Sequence, residues 1–251
     1  MRPIARAIAM NFREIFEFDG KTALIVGASL GGIGTAIAKA FKSCGASVVI
    51  TGLEAAPVGE IVSLYKYVSL DVTDTKAVQA LSAEIPKLDI LVNCAGVSGR
   101  GQEADIELFQ RVVDINLTGT YRTCCAFQKQ LSEARGCIIN IGSMYGHLGS
   151  PKVLGYGAGK AGVHQLTKSL AIAWAESGIR VNAIAPGFIA TPGTEVGRSD
   201  SAHYKAVVDR TPVGRWGESN DIAGPALFLA SPAANFVTGV TLNVDGGYMA
   251  V

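Results

Sequence analysis

Tyr156 and Lys160 stand four residues apart in the stretch GYGAGK at positions 155–160. If this stretch begins a helix, the two side chains lie one above the other on the same face. A phenol has an ordinary pKa of about 10, and an ammonium held nearby favours the phenolate and lowers that pKa. The spacing therefore predicts a proton-transfer pair that operates near neutral pH. Many helices carry such a pair by chance, so the other motifs of the chain must show whether this pair transfers protons.

Two more polar residues extend this pair into a candidate catalytic group. Ser143 stands thirteen residues before Tyr156 (156 − 143), where its hydroxyl could donate to the oxygen of a carbonyl substrate. No Gly-x-Ser-x-Gly elbow surrounds it, which disfavours a hydrolase nucleophile. Asn116 falls inside a predicted helix, where asparagine is a mediocre helix former that ordinarily caps or faces solvent. It could instead hold a water that leads protons to the lysine.

Three further motifs follow predicted strands. The glycine-rich stretch GASLGGIG at 27–34 lies between a strand and a helix, where backbone N–H groups and the helix dipole favour a dinucleotide diphosphate. Asp71 ends a strand and could accept from an adenine amino group, or it serves as a turn or N-cap residue. The small residues of NCAG at 93–96 would let a ribose lie against the sheet edge, or they form an ordinary turn.

Short apolar strands alternate with longer helical segments along the chain. The predicted strands cover residues 22–26, 46–51, 65–70, 88–92, 136–141, 179–184 and 240–244, and the predicted helices 33–44, 75–85, 105–131, 154–177 and 219–229. Strands that are apolar throughout indicate a parallel sheet covered on both faces. We therefore predict an α/β chain with a single doubly wound domain at 18–251 and an N-terminal extension at 1–17. Residues 186–217 are expected to be irregular, with a short helix near 202–208.

Composition excludes several classes of function. The 22 basic and 21 acidic residues give a net charge of +1, which argues against a nucleic-acid footprint or a membrane-binding surface. No window is apolar enough for a transmembrane helix, and Arg6 interrupts the only signal-like start. Five cysteines without a Cys-x-x-Cys pair predict a reducing, cytoplasmic setting, and three scattered histidines predict no metal site.

Taken as a set, these motifs resemble the short-chain dehydrogenase/reductase family from about Phe18 to Val251. The resemblance rests on the glycine turn at 27–34, Asp71, 93–96, Asn116, Ser143, Tyr156, Lys160, Pro186-Gly187 and Asp245-Gly246-Gly247. It implies a seven-stranded Rossmann sheet, a nicotinamide cofactor and an interconversion of a secondary alcohol and a ketone by hydride transfer. It also implies a catalytic tetrad of Asn116, Ser143, Tyr156 and Lys160.

The resemblance assigns a role to each member of the tetrad. Tyr156 exchanges the hydroxyl proton, and Lys160 lowers its pKa and holds the nicotinamide ribose. Ser143 polarises the substrate oxygen, and Asn116 anchors a proton-relay water. The implied cofactor contacts are Gly27, Ser29, Gly32, Ile33, Gly34, Leu53, Asp71, Val72, Asn93, Ala95, Gly96, Tyr156, Lys160, Pro186, Gly187, Ile189 and Thr191.

Two departures from the family pattern bear on the cofactor. The glycine turn has one residue more than usual, so that the loop must bulge or Gly31 and Gly32 share one role. The end of the second strand, where NAD enzymes of this family usually carry an acid, is Gly52, and the next position, where NADP enzymes often carry arginine, is Leu53. No positive charge is available for a 2′-phosphate and Glu54 would repel one, so the sequence favours NAD, with NADP as the alternative.

The substrate is expected to lie against Tyr145, His147 and Val153 and a loop at about 192–215. His147 either binds a polar substrate or makes a backbone contact in its loop. The mixed charges of the 192–215 loop predict a sugar, polyol or hydroxy acid, with a 3-oxoacyl thioester as the alternative. A dinucleotide-binding sensor without turnover is a further alternative, which the intact tetrad disfavours. Arg215 and Trp216 are expected to be structural.

Members of the family form dimers and tetramers through the last strand and two long helices, and the resemblance implies a homotetramer or a homodimer. The candidate interface residues are Ala126, Phe127, Leu166, Leu170 and Trp174, each of which could instead belong to the core.

Overall fold

The computed structural model describes residues 14–56, 65–99 and 105–251. The strands are β1 Thr22–Val26, β2 Ser47–Gly52, β3 Lys66–Ser69, β4 Ile90–Asn93, β5 Cys137–Ile141, β6 Arg180–Pro186, β7 Ile189–Ala190, β8 Gly217–Glu218 and β9 Thr241–Val244. The α-helices are α1 Ile33–Ser43, α2 Thr75–Glu84, α3 Ile106–Val113, α4 Gly119–Ala126, α5 Gln128–Ala134, α6 Leu154–Ala173, α7 Glu195–Ser199, α8 Ser201–Arg210 and α9 Ser219–Ala230.

Seven strands form one parallel sheet in the order β3-β2-β1-β4-β5-β6-β9. Its central strands β1, β4 and β5 are almost wholly buried, as apolar strands covered on both faces must be. The strand order reverses between β1 and β4, and ligands bind in such sheets at the carboxyl ends beside this switch point. The predicted seven-stranded doubly wound fold is confirmed.

Helices bury the sheet from both faces. Phe41 of α1 and Ile222 of α9 pack in one apolar cluster, and Leu81 of α2, Leu131 of α5 and Leu170 of α6 pack in the other. The chain enters this core at Phe18, which is buried against Phe41 with ring centroids 5.1 Å apart. Most of the predicted extension at 1–17 lies outside the described residues.

A long helical segment follows Asp105, as predicted, but it is not one regular α-helix as far as Leu131. Asp114–Thr118 form a π-helical turn between α3 and α4, and Phe127 separates α4 from α5. Asn116 sits in the π turn and its Nδ2 donates to Val112 O at 2.9 Å and to Val97 O at 2.8 Å. A side chain that bonds to the carbonyl one turn back competes with the regular backbone ladder, and π turns of this kind are frequent at functional sites.

The segment expected to be irregular contains more helix than predicted. Asp200 caps α8 by accepting from the N–H groups of Ala202 and His203 at 3.0 and 3.2 Å. The predicted short helix near 202–208 is therefore confirmed in a longer form. The glycine- and proline-containing segment after β2 lies mostly at 57–64, outside the described residues. Among the residues that are described, no helix is long and apolar enough to cross a membrane.

A buried chain of polar side chains ties the site-bearing helices to the sheet. Asn93 Nδ2 donates to Asn140 Oδ1 at 2.9 Å, which joins β4 to β5. Thr123 of α4 donates to Asn93 Oδ1 at 2.6 Å, and Asn140 Nδ2 donates to Thr167 Oγ1 of α6 at 3.0 Å. Because satisfied polar networks in a low-dielectric interior enforce one arrangement, α4 and α6 are held in fixed positions over the strand ends.

Candidate active site

A cleft of about 590 Å³ opens at the carboxyl ends of the strands. The glycine turn after β1 forms one wall, and the ends of β5 and β6 with the start of α6 form the other. The residues that line it include Gly27, Ile33, Gly34, Gly96, Ser143, Tyr156, Lys160, Pro186, Gly187, Ile189 and Thr191. The structure thus brings three of the four tetrad residues and most predicted cofactor contacts to one cavity.

Tyr156 and Lys160 lie on the first turns of α6 and face the same side, as their spacing predicts. Lys160 Nζ is 5.6 Å from the centroid of the Tyr156 ring. The same ammonium donates to Ile141 O, at the end of β5, over 2.6 Å. The buried lysine therefore links the start of α6 to the end of the neighbouring strand, close to the phenol.

Burial shifts the pKa of both groups. It lowers the pKa of Lys160 from 10.5 to about 8, against a smaller opposing influence of Cys94, so that the side chain is still mainly an ammonium at pH 7. It raises the pKa of Tyr156, and the hydrogen bond with Ser143 offsets part of that rise. The sequence predicted a lowered phenol pKa. Desolvation of the phenolate is the larger influence in this structure, so that prediction is not borne out here.

Ser143 follows β5 in an extended conformation, with φ −168° and ψ 154°. Its Oγ accepts from the N–H of Tyr145 at 3.2 Å and lies in hydrogen-bonding reach of the Tyr156 phenol. Two hydroxyls thus face the same point of the cleft, which is the arrangement needed to hold one substrate oxygen.

Asn116 has an unpaired oxygen close to Gly96, a residue that lines the cleft. Within the described ranges its Oδ1 is buried and has no hydrogen-bond partner. A Cβ placed on Gly96 would lie 2.5 Å from this oxygen and 3.5 Å from Lys160 Nζ. The glycine therefore lets the Asn116 amide lie close to its backbone, beside the Lys160 ammonium. Since buried acceptors are normally satisfied, the water that the predicted role of Asn116 requires would supply this oxygen with its missing partner.

The glycine turn bulges through two consecutive glycines. Gly31 and Gly32 both have positive φ, at 86° and 81°, and α1 begins at the next residue. A side chain at Gly27 would collide with Ala95, since its Cβ would lie 2.5 Å from the Ala95 Cα. Gly31 and Gly32 both adopt the positive φ through which the loop accommodates its extra residue. The backbone comes close to the N-terminus of α1, where free N–H groups favour a diphosphate, and the residues present fit a dinucleotide.

A second cavity of about 250 Å³ continues from the glycine turn toward β2 and β3, lined by Ser29, Leu53, Glu54, Asp71 and Val72 among others. The Asp71 carboxylate accepts from the N–H and the hydroxyl of Thr73, each at 2.8 Å, and these bonds lower its pKa. The turn role that the sequence allowed for Asp71 is therefore present, and its side chain also borders the cavity.

Glu54 is a residue of this cavity that the predicted contacts omit. Its carboxylate accepts a short hydrogen bond from Ser29 Oγ, and the Tyr67 hydroxyl donates to its backbone carbonyl at 2.6 Å. A Cβ on Gly52 would lie 2.0 Å from Ser29 Oγ, so Ser29 fills the space that a side chain at the end of β2 would occupy. One sequence signal could have identified Glu54 as a residue of this cavity. It is an acid that follows two residues after the glycine at the end of β2.

Asn93 does not reach the cleft with its side chain. The side chain is buried and both of its polar atoms bond within the network that joins β4 to α4 and β5. Because Asn93 is the last residue of β4, its backbone lies at the carboxyl end of the strand. The predicted cofactor contact of this residue stays a prediction, which its backbone rather than its side chain would have to meet.

The predicted substrate residues occupy different environments. The Tyr145 ring packs edge-on against Phe188 at 6.2 Å, and Val153 is buried at the start of α6. The exposed His147 lies against the ring of His164, with centroids 4.4 Å apart. Tyr145 lies close enough to the Tyr156 phenol to help raise its pKa, whereas His147 packs on α6.

Arg215 and Trp216 have the structural roles that were expected. Arg215 pairs with both carboxylate oxygens of Asp221 at 2.7 and 3.0 Å. Trp216 is buried and stacks on Tyr204 of α8 with centroids 5.8 Å apart. These contacts join the segment between α8 and α9 to both helices. No group of three metal-ligating side chains occurs in the part of the chain that the structure describes.

The pattern of the whole chain matches a known family. A family model described as "Enoyl-(Acyl carrier protein) reductase" matches residues 27–249. The chain belongs to the short-chain dehydrogenase/reductase family. The galactitol 2-dehydrogenase (L-tagatose-forming) of Cereibacter sphaeroides is 39% identical over 252 residues, which cover 95% of this chain and 99% of that protein. The 2-dehydro-3-deoxy-D-gluconate 5-dehydrogenase of Bacillus subtilis (strain 168) is 39% identical over 249 residues, which cover 94% and 97%.

A solved relative supports the same assignment. The crystal structure of a gluconate 5-dehydrogenase from Burkholderia cenocepacia J2315 in complex with NADP and tartrate has a TM-score of 0.87 and 32% identity, and the match covers 95% of this chain and 98% of that one. This short-chain dehydrogenase/reductase is an NAD(P)-dependent oxidoreductase that acts on CH–OH groups.

Proposed function

We propose that this short-chain dehydrogenase/reductase interconverts a secondary alcohol and a ketone of a small polyhydroxylated molecule, such as a sugar, a polyol or a sugar acid. The observation that carries the proposal is the meeting of the Ser143 hydroxyl, the Tyr156 phenol and the Lys160 ammonium at one end of the cleft. The names of the relatives supply the substrate class, since those proteins act on galactitol, gluconate or a deoxygluconate derivative.

In this proposal the side chains divide the proton chemistry among them. Tyr156 donates its proton to the substrate oxygen during reduction and takes it back during oxidation. Ser143 donates a second hydrogen bond to the same oxygen and lowers the energy of the developing charge. Lys160 supplies a positive charge close to the phenol, and Asn116 Oδ1 holds a water that reconnects the lysine to solvent. A nicotinamide supplies or takes the hydride when it is bound.

We infer a preference for NAD over NADP from the adenosine end of the cleft. The Glu54 carboxylate, held by Ser29 and beside Gly52, accepts hydrogen bonds from a ribose diol and repels a 2′-phosphate. Leu53 at the next position is exposed and supplies no positive charge. The Burkholderia relative is a complex with NADP, so that cofactor choice is a property to be measured for this chain.

We also propose a homotetramer in the cytoplasm. Tyr121 of α4 and Ile172 of α6 expose 47% and 81% of their surface, which supplies apolar area on the two helices that the family uses for association. The interface residues predicted from the sequence are less suitable, because Phe127, Leu170 and Trp174 are buried in the core. Sedimentation velocity of the full chain tests the assembly, and a stable monomer at micromolar concentration would remove it.

A substrate panel tests the reaction itself. The purified enzyme is mixed with NAD and, in turn, galactitol, gluconate and other polyols and hydroxy acids, and the absorbance of the reduced nicotinamide is followed. Turnover of at least one hydroxylated substrate is expected, together with a higher kcat/KM for NAD than for NADP. Reduction of a 3-oxoacyl thioester with NADPH, without activity on any polyol, would replace the proposal by the thioester alternative.

A further inference from the structure

His164 is a buried histidine to which the proposed reaction gives no role. It lies one turn beyond Lys160 on α6, so that Tyr156, Lys160 and His164 follow one another at four-residue spacing on one face of the helix. The first two side chains point to the reacting end of the cleft. The third points to the loop that carries Ser143, immediately after β5.

This loop closes around the His164 ring. The N–H of Ser143 donates to His164 Nε2 over a long 3.4 Å. A Cβ on Gly142 would lie 2.3 Å from Nε2, and a Cβ on Gly146 would lie 2.4 Å from Cε1. The exposed ring of His147 covers the imidazole from outside, with centroids 4.4 Å apart. The loop thus has two glycines where side chains would collide with this ring.

Two side chains of α6 therefore hold the backbone on either side of Gly142. Lys160 donates to Ile141 O, and His164 accepts from Ser143 N–H. The N–H of Gly142 itself donates to Ile184 O of β6 at 2.7 Å. Because Tyr156 belongs to the same helix as Lys160 and His164, their two contacts set the distance between the Ser143 hydroxyl and the phenol on the side of α6. A displacement of about 1 Å between such groups is enough to impair a reaction strongly.

The protonation of His164 agrees with an acceptor role. A neutral imidazole that accepts at Nε2 carries its proton on Nδ1, and this Nδ1 is buried without a hydrogen-bond partner among the described residues. Burial, helped by His147, Lys160 and Lys168, lowers the pKa of His164 from 6.5 to about 4, which keeps the ring neutral at pH 7. An apolar side chain of similar size would fill the space without an unpaired donor, so packing alone does not account for a histidine.

We propose that His164 is a positioning residue of the active site, which fixes the Ser143 backbone through Nε2 and so aims the Ser143 hydroxyl at the oxygen shared with Tyr156. The inference rests on the proposed role of Ser143. It adds to the proposed catalytic tetrad a supporting residue that touches neither the substrate nor the cofactor.

The test compares His164→Gln, whose side-chain oxygen can accept at the Nε2 position, with His164→Leu, which fills similar space without an acceptor. Loss of one hydrogen bond predicts a fall of about tenfold in kcat for His164→Leu, whereas KM for NAD changes less than twofold. His164→Gln is expected to keep at least half of the wild-type kcat. Leu170→Ala, a buried truncation on the same helix, is the control that lowers the melting temperature without lowering kcat at 25 °C.

Hydrogen exchange of the 142–147 loop gives a readout that needs no substrate. His164→Leu should speed amide exchange there, and His164→Gln should not. If His164→Leu does not fold, His164→Asn takes its place, because its shorter amide does not reach the Ser143 N–H. Equal impairment of the glutamine and leucine variants, or wild-type kcat and exchange in the leucine variant, would overturn the proposal. Failure of the wild-type enzyme on every polyol would count against the proposed reaction, while the exchange comparison still decides the role of His164.

Discussion

The two ends of the cleft are built differently. At the reacting end, Asn116, Ser143 and Lys160 are buried, and the backbone or side-chain bonds that hold them come from α3, β5 and α6. At the adenosine end, Leu53 and Asp71 are exposed, and the Glu54 side chain is held by its bond from Ser29 on a loop. The reacting end is part of the buried core, whereas the adenosine end lies at the surface of the protein.

The difference follows from the physics of the two tasks. Proton and hydride transfer depend on distances at the level of tenths of an ångström, so the groups involved must be held by packed elements. Discrimination between a ribose hydroxyl and a phosphate depends on charge, which acts over several ångströms and tolerates movement. Substitutions at the reacting end should therefore abolish function, and those at the adenosine end should change it by degrees.

The largest effect is expected at Tyr156. Tyr156→Phe removes the proton donor and keeps the ring, so that kcat should fall about 10³-fold, the usual worth of a general acid–base group. The affinity for NAD, measured by fluorescence titration, should stay within a few-fold of wild type. Tyr65→Phe, whose ring lies under the Lys42 ammonium and lines neither cavity of the cleft, is the matched control. A loss of less than tenfold would remove Tyr156 from the role of proton donor and erase the contrast between the two ends.

The next largest effect concerns how the free energy of unfolding depends on pH through His164. His164 has a pKa of about 4 in the folded chain and 6.5 when unfolded, so the unfolded chain binds more protons between these values. The free energy of unfolding should therefore fall as the pH drops from 6.5 to 4, by up to about 3 kcal/mol, and level off below pH 4. His164→Gln should lack this part of the decline in urea titrations across the range.

Asp71 provides the contrast at the adenosine end. Its pKa is lowered in the folded chain by the bonds from Thr73, so its contribution is present above the ordinary value of 3.8 and is lost as the pH falls below it. Asp71→Asn should leave the profile between pH 4 and 6.5 unchanged. An equal change in both variants over that range would show that His164 is not the titrating group.

A graded effect is expected for cofactor choice. Glu54→Gln keeps an acceptor for Ser29 and removes the charge that opposes a 2′-phosphate, and Leu53→Arg adds a charge that attracts one. At a partly exposed site such charges are worth about 1 to 3 kcal/mol, so the ratio of kcat/KM for NAD over NADP should fall about 5- to 150-fold in each variant. Glu133→Gln, on α5, should leave the ratio unchanged. A wild-type preference for NADP would reverse the assignment of Glu54.

The smallest effect is expected at Tyr67, whose hydroxyl donates to the Glu54 carbonyl at 2.6 Å. Tyr67→Phe removes one hydrogen bond that supports the loop, worth about 1 kcal/mol, so that KM for NAD should rise no more than about fivefold with kcat unchanged. A large fall in kcat would mean that the adenosine end is coupled to the reacting end, and that the two ends do not act separately.

Features that depend on neighbours in the sequence were predictable. Apolar runs located the strands of the sheet, because burial on both faces leaves little choice of residue. The four-residue spacing of Tyr156 and Lys160 placed both on one face of α6, and the glycines at 31 and 32 indicated the bulge that the structure shows. Each of these is a local property of the backbone, so no knowledge of the rest of the fold was needed.

Features that depend on contacts between distant segments were missed. The π turn contains Asn116, whose side chain also donates to the backbone carbonyl of Val97 in the loop after β4. The Glu54–Ser29 pair joins the residues after β2 to the turn after β1, and the His164–Ser143 contact joins α6 to β5. The side-chain bonds of Asn93 to β5 and α4 were likewise not predicted, because these partners are not visible in its own motif.

The sequence by itself determined the order of strands and helices, the residue types able to move a proton and the glycines that let a diphosphate approach. These follow from side-chain chemistry and backbone freedom, which each residue possesses wherever it is placed. Only the tertiary structure decided which pKa values move and in which direction, which oxygen is left unpaired, and which histidine lies behind the serine. Those properties are consequences of burial and of partners brought together from separate elements, and they exist only once the sheet and its helices are packed.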